Sequence, residues 1–112
     1  MIKHSMNLRQ EPFEKIRDGK KIIESRLYDE KRQGIMLGDQ LEFSCVETSE
    51  KVNTEVIGLI RYATFAKMFM DISPQMFGGD SREFLTNEIN QFYSTEEQER
   101  YGVLGIRLQL LK

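Results

Sequence analysis

The chain has 112 residues, of which 39% are hydrophobic and 30% are charged, and its formal net charge is −2. No apolar run approaches the ~20 residues that cross a bilayer, and the apolar content suffices for one core, so we expect one domain over residues 1–112 and no membrane span. The only cysteine, Cys45, excludes an internal disulfide and predicts a cytoplasmic protein. Together with the single histidine, it supplies too few ligands for a zinc site. We therefore expect no metal and no cofactor.

The acidic net charge conceals a basic first third of the chain. Residues 1–34 contain nine Lys/Arg and six Asp/Glu, a net charge of +3, whereas the remaining residues contain seven and twelve, a net charge of −5. A basic segment on an acidic protein suits recognition of a small anion or a short nucleic-acid element. Charge alone also fits a solvated charged surface, which is the simpler interpretation.

Taken in chain order, alternating apolar residues predict strands, and helical spacing with capping residues predicts helices between them. The predicted strands are residues 2–8, 20–28, 40–46, 56–62 and 103–111. The predicted helices are residues 10–18, 64–72, 81–93 and 94–100, with turn-rich connections at 29–39, 47–53 and 73–80. Because strands and helices do not alternate regularly, a doubly wound parallel sheet is disfavoured. We predict an α+β fold, a small mixed and mostly antiparallel β-barrel with peripheral helices.

The densest cluster of ionisable groups lies in residues 20–32. If residues 22–27 form a strand, Glu24 and Arg26 point to one face, and Lys21 follows a turn that directs it towards Glu24. Arginine binds phosphate or carbonyl groups through a planar fork, lysine supplies a charge or a base, and a carboxylate accepts N–H groups or acts in acid–base catalysis. The alternative is an ordinary ion pair between surface side chains.

The segment around these residues resembles the opening of ASCH domains. That family has a helix followed by a G-x-K-x-x-E-x-R signature, which reads here as Gly19, Lys21, Glu24 and Arg26. The stretch GDQLEF at 38–43 matches the family's Gly-Asp strand, and YGVLGI at 101–106 resembles its last strand. The resemblance covers nearly the whole chain. It implies a PUA-like β-barrel with a cleft beside the signature strand that binds RNA or a nucleotide-like ligand.

Carried over residue by residue, the resemblance puts the three charged signature side chains in that cleft. Lys31 and Arg32 lie in the charged crossing that follows and would extend its positive rim. Tyr101 enters the last strand beside a glycine, where its ring could stack on a base. The predicted ligand-binding residues are therefore Lys21, Glu24, Arg26, Lys31, Arg32 and Tyr101.

One branch of the family is similar to amidohydrolases that deacetylate N4-acetylcytidine. In that branch a Thr, the proposed nucleophile, stands where this sequence has Glu24, and a Glu on a later helix assists the activating Lys. Lys21 matches, but the later Glu aligns near the loop at 78–80, where only Asp80 is acidic. Direct hydrolysis, with Glu24 activating water and Lys21 or Arg26 polarising the carbonyl, is the catalytic alternative.

We predict a binding module for RNA or a modified nucleoside or nucleotide, with an amidohydrolase as the first alternative. The second alternative is a protein-interaction module that uses the Met- and Phe-rich residues 65–77, although core packing is the default interpretation of that stretch. Cys45 points to the same side of its predicted strand as the apolar Leu41 and Phe43, so we expect a buried and inert thiol.

Overall fold

Buried and half-buried side chains alternate along an inner strand of the sheet, as expected for a strand with one face in the core. In residues 40–45, Leu41, Phe43 and Cys45 are buried, and the side chains between them are half-buried. A computed structural model describes residues 1–111. Its strands are β1 (Lys3–Leu8), β2 (Ile23–Leu27), β3 (Gln40–Cys45), β4 (Lys51–Tyr62) and β5 (Val103–Leu110). Its helices are α1 (Gln10–Arg17), α2 (Glu30–Gln33), α3 (Phe65–Asp71), α4 (Arg82–Ile89) and α5 (Thr95–Tyr101), with a 3₁₀ turn at Pro74–Phe77.

The five strands form one sheet in the order β1-β3-β4-β5-β2. Strand β1 runs parallel to β3, and the other three pairings are antiparallel. The sheet curls into a half-barrel, which confirms the predicted α+β class and the mostly antiparallel barrel. This order leaves β1 and β2 as the two edge strands.

Apolar side chains form two packed clusters around the curled sheet. In the first, α1 contributes Phe13 and Ile16, which pack with the buried residues of β1, β3, β4 and β5. In the second, α3, the 3₁₀ turn and α4 cover β2 and the start of β5. The longest helices have eight residues, so no helix within residues 1–111 is long and apolar enough to span a membrane.

The Met- and Phe-rich stretch belongs to the second cluster. Phe65, Met68, Phe69 and Phe77 are buried there, and the rings of Phe69 and Phe77 meet edge to face at 4.9 Å. These four side chains pack in the core, whereas Met70 and Met76 of the same stretch are exposed.

Several predicted boundaries differ from the observed ones because of local hydrogen bonds. Strand β2 begins at Ile23 rather than at residue 20, since the backbone N–H groups of Lys20 and Lys21 both donate to the Lys15 carbonyl and close the helix end. The predicted turn-rich connection at 29–39 contains the short helix α2, in which the Arg32 N–H donates to the Asp29 side chain and caps the helix. The predicted hairpin connection is shorter than expected because β4 already begins at Lys51.

The loop before α4 is packed against that helix without room for a side chain. A Cβ at Gly79 would lie 2.6 Å from Leu85 Cδ2 and 2.7 Å from its Cγ. We expect Gly79→Ala to lower the free energy of unfolding by about 1–3 kcal/mol, because the clash is with a buried core leucine. Chemical denaturation measures this loss.

The matched control is Gly34→Ala. Gly34 has an ordinary φ of −83°, and a Cβ there would meet no atom within 4 Å. We expect its stability to be unchanged or slightly increased. Equal losses in both variants would contradict the packing account.

Candidate functional site

The two edge strands face each other across a seam in the half-barrel. The Nη2 group of Arg26, on β2, donates to the Asn7 carbonyl oxygen of β1 at 3.3 Å and bridges the seam. A pocket of about 310 Å³ opens at this point and is lined by residues of both edges. The site therefore lies where the sheet fails to close into a full barrel.

Backbone groups of both edge strands point into the seam, where the Ser25 N–H donates to Glu24 and the Asn7 carbonyl accepts from Arg26. On β2, Tyr28 N–H donates to Gly102 O, and Ile22 O accepts from Leu108 N–H, so the even-numbered residues bond to β5. The backbone groups of Ser25 consequently face the open edge, because neighbouring residues in an antiparallel strand alternate in direction. On β1, the same alternation directs the backbone groups of Asn7 to the seam.

A buried carboxylate holds two cations at the base of this pocket. Glu24 is 3% exposed, and its Oε1 lies 2.8 Å from Lys21 Nζ and 3.1 Å from the Ser25 backbone nitrogen, which donates to it. Its Oε2 accepts from Arg26 Nε at 3.1 Å and from Arg26 Nη2 at 3.0 Å. The predicted convergence of these three side chains is thus present, and the cluster of Lys21, Glu24 and Arg26 carries a net charge of +1.

Opposing effects set the ionisation of the cluster. Burial by itself raises the pKa of Glu24, but the charges of Lys21 and Arg26 and their hydrogen bonds outweigh it and lower this pKa from 4.5 to about 2. Burial lowers the pKa of Arg26, whereas the Glu24 charge and then the Tyr93 hydroxyl raise it above its ordinary value. Glu24 and Arg26 are therefore both charged at neutral pH.

Helix α1 and the loop at 78–79 position Lys21. Gly19 ends the helix with φ of +79°, a left-handed conformation that favours glycine, and turns the chain towards β2. Gly78 lies directly against the Lys21 stem, since a Cβ on it would be 3.0 Å from Lys21 Cβ. Lys15 Nζ donates to the Gly78 carbonyl at 2.7 Å and fixes this contact.

The opposite wall of the pocket comes from the end of α4 and the turn that follows it. This segment contributes Glu88 and Tyr93, and Phe92, which is 65% exposed. The turn is tight, because the N–H groups of Phe92 and Tyr93 both donate to the Ile89 carbonyl. Glu88 and Phe92 were not predicted from the sequence. The one available signal was that Glu88 follows the buried Leu85 by three positions and so lies beside the buried helix face.

The resemblance placed the later acidic residue near the loop at 78–80, but the acidic residue of that loop lies outside the pocket. Asp80 does not line the pocket, whereas Glu88 does.

Three of the predicted ligand-binding residues do not line the pocket. Lys31 is exposed on α2, and the Arg32 guanidinium pairs with Asp29 at 2.9 Å on the same short helix. Tyr101 packs, half-buried, against the second apolar cluster beneath the Arg100 guanidinium. Within residues 1–111, no group of three or more His, Cys, Asp or Glu side chains is arranged to bind a metal ion.

The paired state of Glu24 predicts the pH dependence of stability. The unfolded chain binds a proton near pH 4.5, but the folded chain does so only near pH 2, so the stabilisation is complete above pH 4.5 and is lost as pH falls towards 2. We expect Glu24→Gln to be less stable at pH 7 by about 3 kcal/mol and to converge on the wild type near pH 2. Urea denaturation between pH 7 and 2 measures both curves.

The control is Glu83→Gln, an exposed position on α4. Its stability should follow the wild-type curve at every pH. A constant difference between wild type and Glu24→Gln from pH 7 to 2 would contradict the assigned ionisation.

Comparisons with known proteins agree with this architecture. The ASCH domain profile matches residues 6–112. A hypothetical protein named PH0355 is 35% identical, and its crystal structure superposes with a TM-score of 0.87 over 98% of this chain and 100% of that chain. Protein PF0455 from Pyrococcus furiosus, solved by NMR, is 32% identical, with a TM-score of 0.80 over 99% of both chains.

More distant structures share the fold. The ASCH domain from Lactobacillus crispatus superposes with a TM-score of 0.66 at 13% identity, over 97% of this chain and 79% of that chain. No match was found among curated proteins. Because the profile match spans nearly the whole sequence, the chain belongs to the ASCH domain family.

Proposed function

We propose that this protein is an ASCH-type binding module that holds RNA, or a modified nucleoside or nucleotide, in the seam pocket. The observation that carries the proposal is the buried cationic cluster of Lys21, Glu24 and Arg26, which opens onto a pocket whose mouth presents the exposed ring of Phe92. A nucleotide combines the two features that such a site fits, an anionic or carbonyl-rich edge and a flat aromatic base.

The cluster supports binding of phosphate or carbonyl oxygens. Glu24 neutralises one of the two cations, so one positive charge is left for a ligand in a site that is largely shielded from water. Because the carboxylate holds both side chains in place, little side-chain entropy is lost when a ligand binds them. An acidic protein can thus bind an anion locally.

The aromatic wall supports stacking of a base. Phe92 is a large apolar side chain that stays 65% exposed beside a polar pocket, and Tyr93 lies next to it on the same wall. Proteins that bind single-stranded RNA commonly stack unpaired bases on such rings. The volume of about 310 Å³ lies at the lower end of the range for small-ligand sites, which suits one nucleotide unit rather than a duplex.

The catalytic alternative is weakened by the state of Glu24. A carboxylate with both oxygens engaged and a pKa of about 2 is a poor general base near neutral pH. Hydrolysis in this pocket would have to use Glu88, whose carboxylate lies on the opposite wall. We therefore expect little or no deacetylation of N4-acetylcytidine.

Lys21→Met tests the proposal with the least damage to the fold, because Glu24 keeps Arg26 as its partner. We expect the affinity for a short single-stranded RNA to fall about tenfold or more. The slope of log affinity against log salt concentration should decrease by about the amount that one phosphate contact contributes. Fluorescence anisotropy at several salt concentrations measures both quantities, and N4-acetylcytidine is assayed for turnover in parallel.

Two further variants serve as controls. Lys67→Met removes an exposed lysine on α3, and Lys31→Ala/Arg32→Ala removes both cations of α2. Neither site lines the pocket, so both should leave affinity and salt slope unchanged. Absence of RNA and nucleotide binding by the wild type would overturn the proposal, as would rapid turnover of N4-acetylcytidine that Glu88→Gln abolishes.

A further inference from the structure

We propose that the seam pocket selects guanine among the four bases, with the Glu88 carboxylate binding the N1–H and N2–H groups of the base. This inference deepens the proposed function and rests on it. It names a specificity residue, Glu88, and the base edge that this residue recognises.

The first observation is that the pocket holds two carboxylates in different states. Both oxygens of Glu24 are engaged by Lys21, Arg26 and a backbone N–H. Glu88 lines the same pocket and takes part in no side-chain hydrogen bond or ion pair within residues 1–111. Its two oxygens are thus acceptors that a ligand can use.

The second observation is that a cation lines the same pocket as this carboxylate. Lys21 and Glu88 line the main pocket together, and they also share a small adjoining cleft of about 10 Å³. The Lys21 ammonium carries three N–H donors and uses one direction for Glu24. The pocket therefore presents N–H donors at its base and an exposed carboxylate acceptor on its opposite wall.

Guanine is the base whose edges match this arrangement. Its O6 and N7 are adjacent acceptors, which lysine and arginine commonly bind, and its N1–H and N2–H are adjacent donors that fit the two oxygens of one carboxylate. Cytosine and adenine each place a ring acceptor beside a single amino group, and uracil has one N–H between two carbonyls. A carboxylate would therefore meet at least one repelling acceptor on each of these three bases.

The third observation is that the last turn of α4 carries the carboxylate and the tight turn directly after it carries the stacking ring. Gln91 N–H donates to the Glu88 carbonyl, and Phe92 N–H donates to the Ile89 carbonyl, so residues 88–92 are held in a fixed relation. Glu88 and Phe92 line one wall of the pocket. A base stacked on the ring would have its edge within the reach of the carboxylate.

Binding of nucleoside monophosphates tests this inference by isothermal titration calorimetry. GMP, IMP, AMP, CMP and UMP carry the same phosphate and ribose, so differences between them report the base alone. We expect GMP to bind tightest and IMP, which lacks the N2 amino group, to bind about tenfold more weakly. In Glu88→Gln, the ratio of GMP affinity to IMP affinity should fall towards one.

Glu83→Gln is the matched control, because Glu83 is exposed on the same helix and lines neither pocket. It should keep the wild-type ratio. If nucleotides bind but GMP is not preferred, or if Glu88→Gln leaves the GMP-to-IMP ratio unchanged, the inference is overturned while the proposed function stands. If no nucleotide and no RNA binds, the proposed function fails and the inference fails with it.

Discussion

Glu24 is a carboxylate in the protein interior, and the surrounding chain is arranged to neutralise its charge. A buried unpaired carboxylate is strongly unfavourable, and removing one partner from a buried pair commonly costs about 3–5 kcal/mol. The two cations reach Glu24 from different directions, Lys21 from the turn after α1 and Arg26 from β2 itself. One side chain thus ties the end of a helix to an edge strand, and through Arg26 it also contacts the opposite edge.

This constraint explains why the seam between β1 and β2 stays open yet ordered. The sheet order leaves both strands without a second neighbour, and a side-chain bridge from Arg26 to Asn7 spans the seam where a backbone ladder would otherwise close it. Because a side-chain contact replaces backbone pairing between β1 and β2, a pocket with charged side chains at its base opens between the two strands. The left-handed Gly19 and the close contact of Gly78 with Lys21 are local requirements of the same arrangement.

The sequence predicted those parts of the site that depend on near neighbours in the chain. Strand alternation put Glu24 and Arg26 on one face, and the glycine turn directed Lys21 to them, because both relations are set within a few residues. Glu88 and Phe92 lie more than 60 residues further along the chain, and only tertiary packing brings them to the pocket. Lys31 was predicted on the rim because it lies in the charged connection that resembles the family pattern, but a short capped helix holds it outside the pocket.

The central claim is that ligand binds in the seam, and NMR of the ¹⁵N-labelled protein tests it most directly. On addition of a short single-stranded RNA, the account predicts the largest amide shifts at Asn7, Ser25 and Phe92, which belong to both edges and to the aromatic wall. Saturable shifts centred on α2 and Tyr101, with the seam unaffected, would contradict it.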